Sequence, residues 1–347
     1  MQKYFPFLGW VSKYNRNYLF KDLIAGLTVG VILIPQGMAY AMIAGLPPVY
    51  GLYASVFPIL VYLFLGTSRQ LAIGPVAMDS LLVAAGLGTL VITGIENYIA
   101  LAIFLAFLVG VIQLLFGLLR MGFLVNFLSR PVISGFTSGA AVIIIFSQLK
   151  HLLGADIEKS NKFHQLVVNA FDKLLETNLY DFSIGIIGIL AIVFLKKWNS
   201  KFPSVLLVVI LGILAVFVFD LDDYGVKIVG EIPKGLPAFQ IPNFNFQDAM
   251  DLWPIALTLA LVGYLEAISI GKAIEERNNE ETIDANQELV ALGTSNMVGS
   301  FFQAYPVTAS FSRSAISNEI GGKTNFFAFI SVIMVVFTLL FFTPMFY

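Results

Sequence analysis

The sequence predicts an all-α polytopic membrane protein built from two related halves, and three observations carry that prediction. Of 347 residues, 58% are hydrophobic and 12% charged, against roughly a quarter charged in a soluble domain. The apolar residues fall into blocks of about 17 to 25, the length a bilayer core demands of a helix. Two four-residue stretches, GPVA at Gly74 to Ala77 and YPVT at Tyr305 to Thr308, each put a proline inside such apolar sequence.

The composition excludes several classes. With no cysteine there is neither a disulfide framework nor a thiolate metal site. A net charge of −2 gives no basic field for nucleic acid. No metal or cofactor site is expected. Residues 1–21 mix aromatics with Lys3, Lys13, Arg16 and Lys21 and have no small-residue cleavage site, so they read as a cytoplasmic interfacial segment rather than a signal peptide.

The spans follow in order at about 22–44, 48–65, 74–93, 98–119, 131–153, 181–196, 203–219, 251–274, 288–303, 307–319 and 325–343. The tenth is too short and too polar to cross alone. Two stretches, about 154–180 and 220–250, are polar connections outside the bilayer. With the N-terminus inside, Arg69, Arg120, Arg130, Lys196, Lys197, Lys201, Lys272, Arg277, Arg313 and Lys323 collect on the cytoplasmic side. Lys150, Lys159, Lys162, Lys173, Lys227 and Lys234 lie outside, mostly in long loops where the rule is weak. A multi-pass protein of the inner or plasma membrane with a cytoplasmic N-terminus is therefore expected.

The second connection falls where the chain starts again. Gln36 lies fourteen residues after Asp22, and Pro75 thirty-nine after Gln36; Glu266 lies fifteen after Asp251, and Pro306 forty after Glu266. Matching distances from helix start to polar residue to broken helix are the mark of an inverted repeat. The repeats are placed at 22–219 and 220–347, the second incomplete.

A broken helix in lipid leaves backbone groups unpaired and persists only where protein or a wet cavity satisfies them. A half-helix also aims its free N–H groups and positive dipole end at that cavity, which suits an anion. Pro75 and Pro306 fit the first turns of two such half-helices. Kinks that merely shape packing are the plainer alternative. Glu266, in LALVGYLEAISIGK, is an intramembrane carboxylate that is functional by default. Ionised, it repels an anion; protonated, it does not. Proton and anion would then each favour the state that accepts the other. A carboxylic acid that hydrogen-bonds a neighbouring helix is the structural alternative.

Gln36 and Tyr40 share one helix face at i and i+4, offering amide and phenol donors, although packing explains Tyr40 nearly as well. TASFSRS supplies Thr308, Ser310, Ser312, Ser314 and Arg313. Arg313 would balance the anion or Glu266, or serve as a positive-inside anchor. Asp79 reads most simply as a first-turn acid favoured by the helix dipole, with a role in coupling as the lesser reading. GGKT at Gly321 to Thr324 lacks the first glycine of a P-loop, since Ser317 stands there. His151 and His164 read as solvated, as does the acidic run Glu275, Glu276, Glu280, Glu281, Asp284 and Glu288.

The stretches PQGMAYAMIAGLPPVYGLYASVFPILVYLFLGTSR, IGPVAMDSLL and NQELVALGTSNMVGSFFQAYPVTASFSRSA closely resemble the sulfate permease (SulP) family of anion transporters, the group that includes prestin. The likeness runs from about residue 20 to the end. It implies a seven-plus-seven inverted repeat with a mobile core (spans one to four and eight to eleven) and a gate (five to seven and twelve to fourteen). It also implies a C-terminal STAS domain and a homodimer in full-length members. On this reckoning the chain stops short of the last spans and of that domain. By motif match, the anion site falls on Gln36, Tyr40, Val76, Ala77, Ser310, Ser312 and Arg313. A glutamate at the position of Glu266 resembles the proton-coupled branch; Asp79 is not accounted for by the pattern.

The expectation is a proton-coupled sulfate symporter working by alternating access, not an enzyme. Bicarbonate, a dicarboxylate or a nucleobase are rival cargoes on the same fold. An intramembrane hydrolase using Asp79 and Glu266 as a carboxylate pair is the distant rival.

Overall fold

The computed structural model describes residues 5–123, 130–155, 157, 163–198, 204–226, 228, 233–278 and 283–342. Lys3, Lys159, Lys162, Lys201 and Lys227 of the orientation argument, Glu280 and Glu281 of the acidic run, and residue 343 of the last predicted span lie outside the described residues. In chain order the helices are α1 (Phe7–Val11), α2 (Arg16–Ile43), α3 (Val49–Tyr53), α4 (Phe57–Leu65), α5 (Ala77–Leu87), α6 (Ile95–Leu118), α7 (Arg130–Leu153), α8 (Phe163–Asp172), α9 (Leu179–Trp198), α10 (Ser204–Phe219), α11 (Phe246–Asn278), α12 (Ala285–Ser300), α13 (Phe311–Ile320) and α14 (Phe326–Phe337). Two two-residue strands, β1 (Ile73–Gly74) and β2 (Thr308–Ala309), precede α5 and α13.

Every predicted span is occupied by helix. Four helices are long and apolar enough to cross a bilayer alone among the described residues: α2, α6, α9 and α11. The second span is broken into α3 and α4, with Pro58 entering the first turn of α4. At about 1.5 Å per residue, α5 and α13 measure roughly 16 and 15 Å, each about half a hydrocarbon core. The shortness of α13 is what the sequence registers as a tenth span that fails to cross alone, whereas α5 fills only part of the twenty residues expected of the third.

The elements divide into two compact units, one holding α1–α6 and α11–α14 with both strands, the other α7–α10. This follows the core and gate groupings implied by the resemblance and cuts across the repeat boundary near residue 220. In the first unit the tightest helix pair is α6 with α12. A Cβ on Gly110 would overlap the Met297 backbone, and one on Gly293 the Leu114 backbone. Lipid supplies no hydrophobic drive between helices, so close backbone approach through small residues is what holds such a pair. Around this crossing, Ala102, Leu105 and Val109 of α6 pack with Leu252, Ala256 and Leu259 of α11 and Val83 and Leu87 of α5.

Two buried carboxylates tie the helices of this unit to distant loops. Glu288 accepts from the backbone N–H of Thr67 (2.7 Å) and Ser68 (3.0 Å), the Thr67 hydroxyl (2.5 Å) and the Tyr62 hydroxyl (2.8 Å). Asp22 accepts from the N–H of Lys323 (2.6 Å) and Thr324 (3.1 Å), the Thr324 hydroxyl (2.5 Å) and the Tyr14 hydroxyl (3.2 Å). The donor sets are the same: one tyrosine, one threonine and two successive peptide N–H groups. Glu288 is 1% exposed, which corrects its reading as a solvated loop acid. The acidic run ends where α12 begins, and its last member turns inward to use those four donors.

In the second unit, Asn178 gathers the ends of the helices by donating its N–H to Leu153 O (2.8 Å) and its amide to Tyr224 O (3.1 Å). Exposed Leu190, Val193, Phe194 and Phe217 make α9 and α10 apolar on their outer faces, as lipid contact requires. His151 sits in the last turn of α7 rather than in the following loop; it and His164 are both exposed.

Replacing Gly110 by leucine drives a branched side chain into the α12 backbone, and overpacking of this kind costs at least about 1–3 kcal/mol. The expected result is a clear drop in the melting temperature of detergent-purified protein, or loss of the monodisperse peak in size-exclusion chromatography.

Candidate functional site

The site forms where α5 and α13 begin. The chain leaves helical geometry at β1 and β2, which pair antiparallel with Ile73 opposite Ala309 and Gly74 opposite Thr308. This short ladder gives unwound backbone the partners that lipid cannot offer. It is extended by the Ser310 N–H donating to Ala72 O (2.9 Å) and the Ala72 N–H donating to the Ser314 hydroxyl (2.9 Å). The Thr308 hydroxyl bonds Gly263 O of α11 (2.7 Å).

The ladder corrects the sequence-level match between the two prolines. Pro75 follows β1 and precedes the α5 cap residue Val76, whereas Pro306 comes before β2. The chain positions joining strand to helix are Pro75 and Val76 in one half and Ser310 in the other. Neither proline lies in a first turn. Thr308 belongs to β2 rather than to the start of the tenth helix, which begins at Phe311. Of GPVA and YPVT only the end residues, Gly74 and Thr308, are paired in the ladder. The ladder register, set by long-range pairing, displaces them by about three residues, a shift local sequence cannot show.

Arg313 joins the two halves. It is fully buried; Nη2 donates to Pro75 O (2.9 Å), Nη1 donates to Gln36 Oε1 (3.3 Å), and Nε has no partner. Gly74 adopts φ +140°, and a Cβ there would stand 3.3 Å from Nη2, so only glycine leaves the guanidinium room. Burial this complete excludes the surface-anchor reading. The Ser310 hydroxyl caps α13 by accepting the Arg313 N–H (3.4 Å) and lies 3.4 Å from the Ser312 hydroxyl. The first turn of α5 has no side-chain cap, which leaves its N–H groups for a ligand.

The structure therefore brings together Gln36, Val76, Ala77, Ser310, Ser312 and Arg313, with Tyr40 within electrostatic reach of the guanidinium. Ser312 is exposed, Gln36, Tyr40 and Ala77 are half-buried, and Val76, Ser310 and Arg313 are buried. Glu266 sits on α11 one helical turn beyond Gly263, with Oε2 buried and unpartnered. Among the described residues Arg313 makes no ion pair, with Glu266 or any other acid.

Sequence reasoning missed the parts that hold this geometry. Asn296 of α12 donates to Val307 O (3.1 Å) and to Gln113 Oε1 (3.1 Å), and accepts the Val307 N–H (2.8 Å). Gln113 of α6 in turn donates to Ala260 O (3.1 Å). Tyr305 is buried with its hydroxyl 3.1 Å from that of Ser80. The available signal was a neutral amide inside each of two apolar spans.

Long helices surrounding two half-helices whose starts meet through an antiparallel ladder define a polytopic transporter fold of the inverted-repeat type. Comparisons with known proteins narrow the class. The chain belongs to the sulfate permease family, whose pattern matches residues 19–347. It is 43% identical to "Sulfate transporter 4.1, chloroplastic" of Arabidopsis thaliana over 99% of this chain and 51% of that protein. It is 35% identical to prestin of Danio rerio over 96% and 49%. Among solved structures it is similar to the murine Solute Carrier 26 family member A9 anion transporter in the inward-facing state, with TM-score 0.91, 29% identity, and 99% and 60% of the two chains covered. The transmembrane domain of the cyanobacterial bicarbonate transporter BicA shares the fold, with TM-score 0.84 and 24% identity over 95% of this chain and 85% of that one. The chain spans about half the length of the curated relatives it matches first.

Asn296→Ala removes the four hydrogen bonds of that side chain, one of them to Leu292 O of its own helix, and strands the Val307 peptide. At about 1 kcal/mol per bond plus the cost of unpaired buried groups, a destabilisation of at least about 3 kcal/mol is expected. Thermal unfolding of the purified protein checks it, and Gln113→Ala should cost less because the Val307 contacts survive.

Proposed function

We propose that this chain carries the binding site of a proton-coupled sulfate symporter that works by alternating access. The supporting observation is Arg313: a buried cation, bonded to neutral groups only, with a spare N–H beside two half-helix starts. A permanent positive charge without a carboxylate partner is costly in a membrane. A bound anion meets that charge, the α5 N–H groups and the hydroxyls of Ser310 and Ser312 at once. Gln36 and Tyr40 complete the ring from α2, with Val76 and Ala77 contributing backbone.

Glu266 supplies the coupling. When it is ionised, the site holds a negative charge that opposes the anion; when it is protonated, that opposition ends. Each ligand therefore favours the state that accepts the other, by equal amounts. Sulfate is the cargo favoured by the names of several relatives, including sulfate transporter 4.1 and sulfate transporter 3.2. Bicarbonate, the cargo named for BicA, is the second reading, since one cation and helix N-termini also suit a singly charged anion. In this reading the first repeat covers 22–219 and the second begins at 220. The N-terminus is cytoplasmic, the protein lies in the inner or plasma membrane, and the intact protein is a homodimer.

Labelled sulfate uptake by the intact protein in proteoliposomes should rise when the outside is made acidic and collapse with a protonophore. Uptake of bicarbonate but not sulfate selects the second reading. Arg313→Ala is expected to weaken sulfate binding about a hundredfold, roughly 3 kcal/mol for the loss of a charged hydrogen bond together with the positive charge beside the anion. Glu266→Gln should abolish accumulation driven by the pH gradient; concentrative uptake at the unsubstituted level would remove Glu266 from the mechanism.

A further inference from the structure

Asp79 is the intramembrane acid that the anion site leaves unused. It is 2% exposed in the first turn of α5, and its Oδ1 has no hydrogen-bond partner. It faces α11 at Gly263, where a Cβ would lie 3.5 Å from Oδ2 and 3.1 Å from the Thr308 hydroxyl. Glu266 stands one turn further along the same helix, its Oε2 also buried and unpartnered, within electrostatic reach of Asp79. A side chain at position 263 would press against both the Thr308 hydroxyl and Asp79 Oδ2, so glycine there is what lets α11 take Asp79 against its surface.

We propose that Asp79 and Glu266 hold the coupling proton jointly, as one site spanning α5 and α11; this rests on the proton-coupled reading above. Two carboxyl groups buried within electrostatic reach of each other, neither of them in an ion pair among the described residues, cannot both remain ionised away from water. One proton therefore stays with the pair, bonded to one carboxyl oxygen, and the charge left on the other carboxylate sets how firmly it is held. It enters from water on one side of the membrane and leaves to water on the other, with no other bond made or broken. The charged and titratable groups around the pair are few. Arg313 on α13, Tyr305 ahead of β2 and Tyr40 on α2 lie nearby, and Tyr305 is within reach of both Asp79 and Arg313. Glu288 on α12 is taken up by its own four donors, and α6 presents the neutral Gln113.

The pairing also explains how anion and proton sites communicate. Asp79 rides on α5, whose first turn offers N–H groups to the anion, while Glu266 rides on α11, which holds β2 through Thr308. A movement of the half-helix start relative to α11 changes the distance between the carboxyl groups, and hence how firmly the proton is held.

The test is proton uptake on sulfate binding by the intact purified protein, measured by calorimetry in buffers of different ionisation enthalpy across a range of pH. Asp79→Asn removes the neighbouring negative charge, so the pH at which uptake is half-complete should fall by at least about one unit, a tenfold change in proton concentration. Asp79→Glu should restore most of the shift, which a packing role for Asp79 does not predict. A pH dependence unmoved by Asp79→Asn overturns the shared site. If Asp79→Asn does not fold, the unsubstituted protein decides: a coupled pair titrates in two separated steps, and a single step overturns the proposal. Sulfate binding with no proton uptake at all in the unsubstituted protein defeats the proton-coupled reading itself; uptake that is present but indifferent to Asp79 defeats only the shared site.

Discussion

The peptide groups where α5 and α13 begin are the constraint on which the rest of the structure depends. In lipid each unpaired N–H or C=O costs several kcal/mol, so a chain that breaks two helices has to bring its own partners. The β1–β2 ladder does this with four residues, and Ser314, Thr308 and Asn296 complete it from three directions. Placing the ladder fixes where both half-helices start. That in turn fixes Arg313 against Pro75 and sets Asp79 opposite α11.

The two half-helices contribute differently. Helix α5 offers backbone with no side-chain cap; α13 brings a serine cap, further hydroxyls and a guanidinium. Of the arginine's three nitrogens, one holds a carbonyl of the other half, one holds Gln36 of α2, and one is free. Arg313 is thus both a brace and a charge. The brace accounts for its burial, and the charge for what the neighbourhood can attract. Neither Asp79 nor Glu266 forms an ion pair with it among the described residues.

Much of this fold was legible in the sequence, because bilayer thickness writes itself into the length of apolar blocks. The eleven spans, the shortness of the tenth, and the meeting of Gln36 with Arg313 followed from hydropathy, spacing and resemblance. Register did not. Proline marks that a helix is interrupted but not on which side of a strand the interruption falls, so Pro75 and Pro306 looked equivalent and are not. Glu288 was misread because a carboxylate beside a charged loop has the same local sequence whether it faces water or four donors from residues 62–68. Asn296 and Gln113 escaped notice because a neutral amide costs less in an apolar span than a charge does and so stands out less.

The two carboxylate clamps carry a consequence for how the protein is made. Asp22, near the start of α2, is satisfied only by residues 323 and 324 and by its neighbour Tyr14; the loop at 67 and 68 is held only once Glu288 exists. Each half thus completes the other across more than two hundred residues. A ribosome delivering the chain from its N-terminus places α2 to α6 in the membrane long before their partners arrive, with α7 to α10 threaded in between. The contacts that close the first unit therefore become available only after its later helices have been made, across sequence separations of 221 and 301 residues. During that interval, unwound backbone ahead of α5 has no ladder partner, and this is when a cell's insertion and quality-control machinery has most to protect.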